Sequence, residues 1–187
     1  MLNQIREKIR ALTQDLEKSS FETFTWTSGN TVTLSTENTS SVTQITIGGI
    51  ELDSAKYSYN SSTQVVTIDS GEVSSGDIVI IYYTYNKYSN TELDSSIDSA
   101  LSYMDVNEYN PHFERDDSDF YPEPLDKEQN LIAIIASILL KPNYNRYIMS
   151  NVRVEYPRSL SKEKRISKLI SRFKRSKEGI TSVIKLD

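Results

Sequence analysis

The chain has 187 residues, 37% of them hydrophobic, with no cysteine, one histidine and a formal net charge of −5. The absence of cysteine excludes a disulfide framework, thiolate catalysis and cysteine-based zinc binding. The longest apolar run, residues 131–140, is ten residues, half of the roughly 20 that a membrane-crossing helix needs, so no membrane partner is expected.

Charge is unevenly placed. Residues 153–187 carry eleven Lys+Arg against four Asp+Glu, net +7, and residues 1–152 carry ten against twenty-two, net −12. An acidic body with a basic final segment fits either a solvated helix face or docking on an acidic partner, including a neighbouring copy. Twelve tyrosines accompany the low apolar content, and surplus tyrosine suits surfaces that other subunits cover. The charged first residues lack the apolar centre of a signal peptide, which leads to the expectation of an intracellular product.

Leu2, Ile5, Ile9, Leu12 and Leu16 recur at spacings of three and four, predicting a helix over 2–18 with one narrow apolar stripe. The period then changes to two. Residues 21–27 and 31–35, joined by Ser28, Gly29 and Asn30, read as a hairpin, and the Ser/Thr-rich stretch 35–44 as a loop. Residues 45–85 read as a compact antiparallel module with a turn at Gly48-Gly49 and further turns at 60–62 and 74–77. Its last strand, 78–85, is apolar on both faces: Val79, Ile81, Tyr83 and Tyr85 on one, Ile78, Ile80 and Tyr82 on the other. One face is expected inside the module and the other against a helix, most simply 2–16, or a neighbouring subunit.

Ser89 and Glu92 have capping-box spacing before a helix with Leu93, Ile97, Ala100, Leu101 and Met104 on one face. Residues 107–124 are acidic, bounded by proline and long for a connection, predicting a mobile stretch or an inter-subunit arm. A helix apolar nearly all round follows over 131–140 and stops before Pro142. Residues 144–150 read as a loop or short helix. Val152, Val154 and Tyr156 alternate before Pro157 and mark an edge strand able to pair with another chain. The last helix, 161–176, sets Ile166, Leu169, Ile170 and Phe173 on one face, with Lys162, Lys164, Arg165, Lys168, Arg172, Lys174 and Arg175 around the rest as a basic face. Gly179 marks a stop, and 180–186 forms an apolar tail.

The fold expected is α+β: a helical bundle of about four helices carrying an inserted small antiparallel β-sandwich or barrel. The divisions fall at an N-terminal helix (1–20), a β module (21–88), a helical core (89–178) and a C-terminal tail (179–187).

Candidate chemistry is sparse. His112, Glu114, Asp116, Asp117 and Asp119 lie within eight residues and could ligate a cation, but the order of an EF-hand loop is missing and a solvated acidic loop is the better reading. No nucleophile elbow, phosphate loop or zinc-protease motif occurs. No cofactor and no catalytic residues are therefore assigned. The basic helix has cations for phosphate contacts, but its one aromatic, Phe173, belongs to the apolar side, which disfavours single-strand stacking.

Gly48-Gly49, Leu52, Tyr57, Tyr59, Val66, Ile68, Gly76-Asp77, Val79, Ile81 and Tyr83 together resemble the small β modules of structural proteins of tailed bacteriophages. The capped helix after Ser89, the irregular stretch and the apolar helix after Pro124 resemble head-tail connector proteins (adaptor or head-completion) of such phages. That resemblance implies a virion neck protein assembled in the host cytoplasm. It would form a ring of identical subunits, typically twelve, that links the portal protein to the next tail or neck protein around the DNA channel, with DNA passing through unread. It also implies that Lys177, Ile180, Val183, Ile184 and Leu186 dock on the portal or a neighbouring subunit. Two alternatives stand beside it. One is a tail- or fibre-associated module recognising a host carbohydrate or protein through Tyr57, Tyr59, Tyr82 or Tyr85; the other is a DNA-binding accessory protein.

Overall fold

In the computed structural model the described residues are 1–116, 119–144, 146–148, 153–157, 159–175 and the backbone of 183–185. They divide into two units, Met1–Asp15 with Asn90–Asp187, and Leu16–Ser89. The first helix, α1 (Leu2–Thr13), buries Leu2, Ile5, Ile9 and Leu12 as their spacing requires. It ends five residues before the expected Lys18. Gln14 turns left-handed at φ 54°, the Asp15 amide returns to the Arg10 carbonyl at 2.8 Å, and Lys18 already opens a strand. Leu16, expected on the stripe, is therefore 71% exposed.

The unit Leu16–Ser89 contains seven strands: β1 (Lys18–Thr25), β2 (Thr31–Thr33), β3 (Thr39–Ile47), β4 (Ile50–Glu51), β5 (Tyr57–Asn60), β6 (Val65–Ile68) and β7 (Ile78–Tyr85). They form two antiparallel sheets, ordered β1-β7-β3-β4 and β2-β6-β5. Both sheets contribute to one core of Trp26, Leu34, Ile45, Leu52, Val66, Ile68, Val79, Ile81 and Tyr83. The turn at Gly48-Gly49 is as expected: both residues have positive φ, and Ile47 pairs with Ile50 across them.

Two local expectations fail here for the same reason, that strand partners are chosen at long range. β1 and β2 do not form a hairpin. The Trp26 amide donates to the Asp77 carbonyl at 2.8 Å, tying the end of β1 to β7, whereas the Ile68 amide donates to Asn30 at 2.8 Å and draws the next segment to β6. Nor is 35–44 a loop, because Thr39–Ile47 is strand β3 beside β7. Register shifts between Thr39 and Ser41 and between Val42 and Gln44 interrupt its alternation, hiding the period-two pattern from the sequence.

After Ser89 comes α2 (Asn90–Val106), burying Leu93, Ile97, Ala100, Leu101 and Met104 as expected. The segment expected to be irregular holds a small hairpin, β8 (Glu114–Arg115) with β9 (Phe120–Tyr121), and is anchored by buried Tyr109, Phe113 and Phe120. Arg115 grips Asp98 of α2 at 2.7 Å through two nitrogens. Then α3 (Asp126–Leu140) starts with the Leu125 amide donating to Glu128 at 2.8 Å. It packs on α1, α2 and the last helix, with Leu131, Ile132, Ile134, Ile135 and Ile138 fully buried. Each such side chain contributes about 1.5–3 kcal/mol of burial. The stripe of α1 is filled by α3.

Residues expected as a loop or short helix next supply β10 (Arg146–Ile148), which pairs with β11 (Arg153–Glu155) and buries Tyr147. The last helix, α4 (Lys162–Arg175), buries Ile166, Leu169, Ile170 and Phe173, and the backbone of β12 (Val183–Lys185) lies parallel to β11. The architecture is mixed α+β, with four helices and small, mostly antiparallel sheets among the described residues.

Candidate interaction surfaces

Alternation along the four-stranded sheet of the β unit places Val79, Ile81 and Tyr83 in the core and turns Ile78, Ile80 and Tyr82 outward. Opposite them, Thr25, Thr23 and Phe21 of β1 face the same way, with Thr46 and Gln44 on β3. Phe21 is 59% and Ile78 54% exposed, and the Phe21 and Tyr82 rings lie 5.8 Å apart. The middle of this face is thus apolar and uncharged. The sequence shows this second face of β7, but it does not reveal Phe21 as its partner, because β1 is sixty residues away along the chain.

Of the tyrosines weighed for glycan contact, Tyr57, Tyr59 and Tyr85 are packed against the core of the β unit. The Tyr59 hydroxyl also donates to the Thr39 carbonyl at 2.9 Å. Only Tyr82 of that set stands on the outer face. Elsewhere Tyr83, Tyr109, Tyr147 and Tyr156 are buried and only Tyr121 and Tyr144 exposed, so most of the tyrosine surplus is spent inside the chain's own units.

The basic face of α4 needs one correction. Lys162, Lys164, Lys168, Arg172, Lys174 and Arg175 are exposed, but Arg165 is buried at 4% exposure. Its guanidinium donates to the carbonyls of Leu160, Pro142 and Tyr144, each at 2.8 Å, and lies 5.8 Å from the Tyr156 ring centre. Periodicity placed Arg165 beside Ile166 at the border of the stripe; backbone carbonyls from three loop positions pull it inward. Beside it, burial pushes the Tyr147 and Tyr156 hydroxyls well above the ordinary tyrosine value, against the opposing influence of Arg165. Tyr147 donates to the Lys141 carbonyl at 2.7 Å, whereas the Tyr156 hydroxyl has no hydrogen-bond partner among the described residues.

The strand expected at an edge is not at one. β11 sits between β10 and β12, so both its backbone edges are paired within the chain; Val154 and Tyr156 are buried, and Val152 lies outside the described residues. Of the tail residues, Val183 and Ile184 belong to β12, whose backbone pairs with β11. Lys177, Ile180 and Leu186 lie outside the described residues.

In the acidic segment His112 Nδ1 lies 2.8 Å from Asp105, and the Asp116 carboxylate accepts from the Asp119 amide at 2.9 Å. Asp117 lies outside the described residues. Among the described residues no three His, Asp or Glu side chains form a group able to hold a metal ion, and no helix is long and apolar enough to cross a membrane. A cleft of about 460 Å³ is lined by Glu108, Tyr109, Asn110, Lys127, Glu128, Phe173 and Lys174. Burial, and then the neighbouring Glu128 carboxylate, raise the Tyr109 hydroxyl to about 12, which keeps it protonated at neutral pH.

Glu22 forms a clasp inside the β unit. Its carboxylate accepts from the Ser35 and Thr36 amides at 3.0–3.1 Å and from the Tyr83 hydroxyl at 2.9 Å. Burial pushes the carboxyl up, but these donors outweigh it, and the pKa lies below its ordinary value of 4.5. A carboxyl held low in the folded state stabilises above its unfolded pKa, and that contribution is lost as pH falls through the folded value. Glu22→Gln is therefore expected to flatten the acid-side loss of stability of the β unit. Melting followed by Trp26 fluorescence from pH 6 to pH 3 checks this, and parallel pH profiles for both proteins would refute it.

No protein-family model matches the chain, and comparison with the curated proteins finds no match.

Proposed function

We propose that the chain is a virion structural protein, a head-tail connector subunit in the neck of a tailed phage, working as a ring that joins the portal to the tail. In this reading the helical unit is the bundle of the connector and Leu16–Ser89 is an inserted β-sandwich. The observation that carries it is the pair of unlike surfaces on separate units: an uncharged apolar sheet face (Phe21, Ile78, Ile80, Tyr82) and a wholly exposed cationic helix face (Lys162, Lys164, Lys168, Arg172). Exposed apolar faces mark contacts with other proteins, and a subunit joining two neighbours needs more than one such surface.

Multi-angle light scattering of the purified protein, alone and with its cognate portal protein, tests this. A defined ring and a stoichiometric portal complex are expected. A protein that stays monomeric and ignores the portal would sink the reading.

A second reading, a tail- or fibre-associated binding module, draws on the outward Phe21–Tyr82 ring pair, tilted at 42° to each other, against one of whose faces a sugar can stack. Host-glycan binding lost on Tyr82→Ala, without ring formation, would favour it.

A further inference from the structure

The helical unit is electrically divided against itself. On α4 the cations Lys164, Lys168 and Arg172 follow one another at intervals of four and share one exposed row. Within the same unit, residues 105–126 expose Asp105, Glu108, Glu114, Asp119, Glu123 and Asp126 around the β8–β9 hairpin. Several of these groups are already engaged: Asp126 with Lys8 at 2.6 Å, Asp105 with His112, and Lys174 with the Asn107 carbonyl at 2.5 Å; Lys168, Arg172 and Asp119 have partners as well, so they lend the surface exposed charge rather than unpaired charge. Lys164, Glu114 and Glu123 are not engaged; their side-chain charges have no partner among the described residues.

We infer that the Lys164-Lys168-Arg172 row of one copy docks on Glu114 and Glu123, at the β8–β9 hairpin, of a second copy. Charge complementarity selects this occupant. Two basic rows repel, as do two acidic hairpins, so the contact joins a row to a hairpin. Two copies can make it reciprocally as a two-fold pair, or each copy can meet two neighbours head to tail and so close a ring. Sedimentation separates the two, since only the second goes beyond a dimer. A nucleic acid is the less suitable occupant, since α4 is only about 21 Å long at 1.5 Å per residue and is fused to a body of net charge −12 over residues 1–152. The inference rests on the ring reading above and supplies the contact between its subunits.

The test is a charge swap on the full chain, read by sedimentation velocity at 50 and 300 mM salt. One variant carries Lys164→Glu, Lys168→Glu and Arg172→Glu; the other carries Glu114→Lys and Glu123→Lys. All five positions are exposed, and circular dichroism verifies that each variant is folded. Wild type is expected to associate about tenfold or more strongly at the lower salt, each variant to associate at least tenfold more weakly than wild type, and an equimolar mixture of the two to recover. Recovery is the deciding result, because only a contact between these two patches is restored by reversing both. Wild-type protein that is monomeric at both salts overturns the inference. Rings that form regardless of the reversals also overturn it, while leaving the connector reading standing. DNA retention that is lost with the α4 variant while self-association is unchanged assigns the row to nucleic acid and overturns the inference as well.

Discussion

Arg165→Ala is expected to lower the unfolding free energy of the helical unit by about 3 kcal/mol or more, whereas Lys164→Ala, one residue earlier, changes it by less than about 0.5 kcal/mol. The contrast follows from where the two cations end. Lys164 is solvated, and losing an exposed charge costs little. Arg165 satisfies three carbonyls, those of Pro142 and Tyr144 just beyond α3 and of Leu160 just before α4. A hydrogen bond to a charged group is worth about 1.5–3 kcal/mol, and removing the donor takes this partner from the Leu160 and Pro142 carbonyls and leaves that of Tyr144 with only the longer bond from the Tyr147 hydroxyl at 3.3 Å. Arg165→Lys recovers only part of the loss, since one ammonium cannot reproduce the guanidinium's fork. Urea unfolding followed by helical circular dichroism measures all three variants. Equal midpoints for Lys164→Ala and Arg165→Ala would show that the carbonyl cage is not formed.

Arg165 also illustrates what the sequence could convey. The apolar faces of all four helices were legible, because side chains three and four apart meet on a helix whatever the rest of the chain does. Leu93 to Met104 and Ile166 to Phe173 are buried as their spacing requires. Residues whose place is set by distant backbone were not legible. Arg165 is drawn in by carbonyls from residues 142, 144 and 160, and Glu22 finds its donors at residues 35, 36 and 83. Strand pairing failed in the same way. β1 and β2 are each plausible alone, but β1 pairs with β7 and β2 with β6. A supposed edge strand became central once β10, read as a loop or short helix, and β12, read as a docking tail, took its two sides. The Gly48-Gly49 hairpin succeeded because its geometry is decided within four residues.

Removing residues 16–89 and closing the gap with about four Gly/Ser residues is expected to leave a folded helical unit, and the excised segment to fold by itself. On the helical side the two cut ends are held by one side chain: Arg10 reaches Asp15 at 2.5 Å and Asn90 at 3.1 Å. On the other side Lys18 pairs with Tyr85, and directly opposed residues of an antiparallel pair have Cα atoms about 4.5–5.5 Å apart. A linker of a few residues, each adding at most about 3.5 Å, spans such distances. The helical unit keeps its central contacts, because the Leu2, Ile5, Ile9 and Leu12 stripe of α1 packs on α3. The excised unit keeps both sheets and its whole core, including Trp26 at 5% exposure. Near the lower size limit for independent folding, it should be the less stable piece. Since Trp26 is the only tryptophan, blue-shifted emission and a cooperative melt report on the β piece alone, and helical circular dichroism reports on the other. Red-shifted emission from the isolated segment, or a helical piece that melts without a transition, would mean that the piece concerned holds together only in the intact chain.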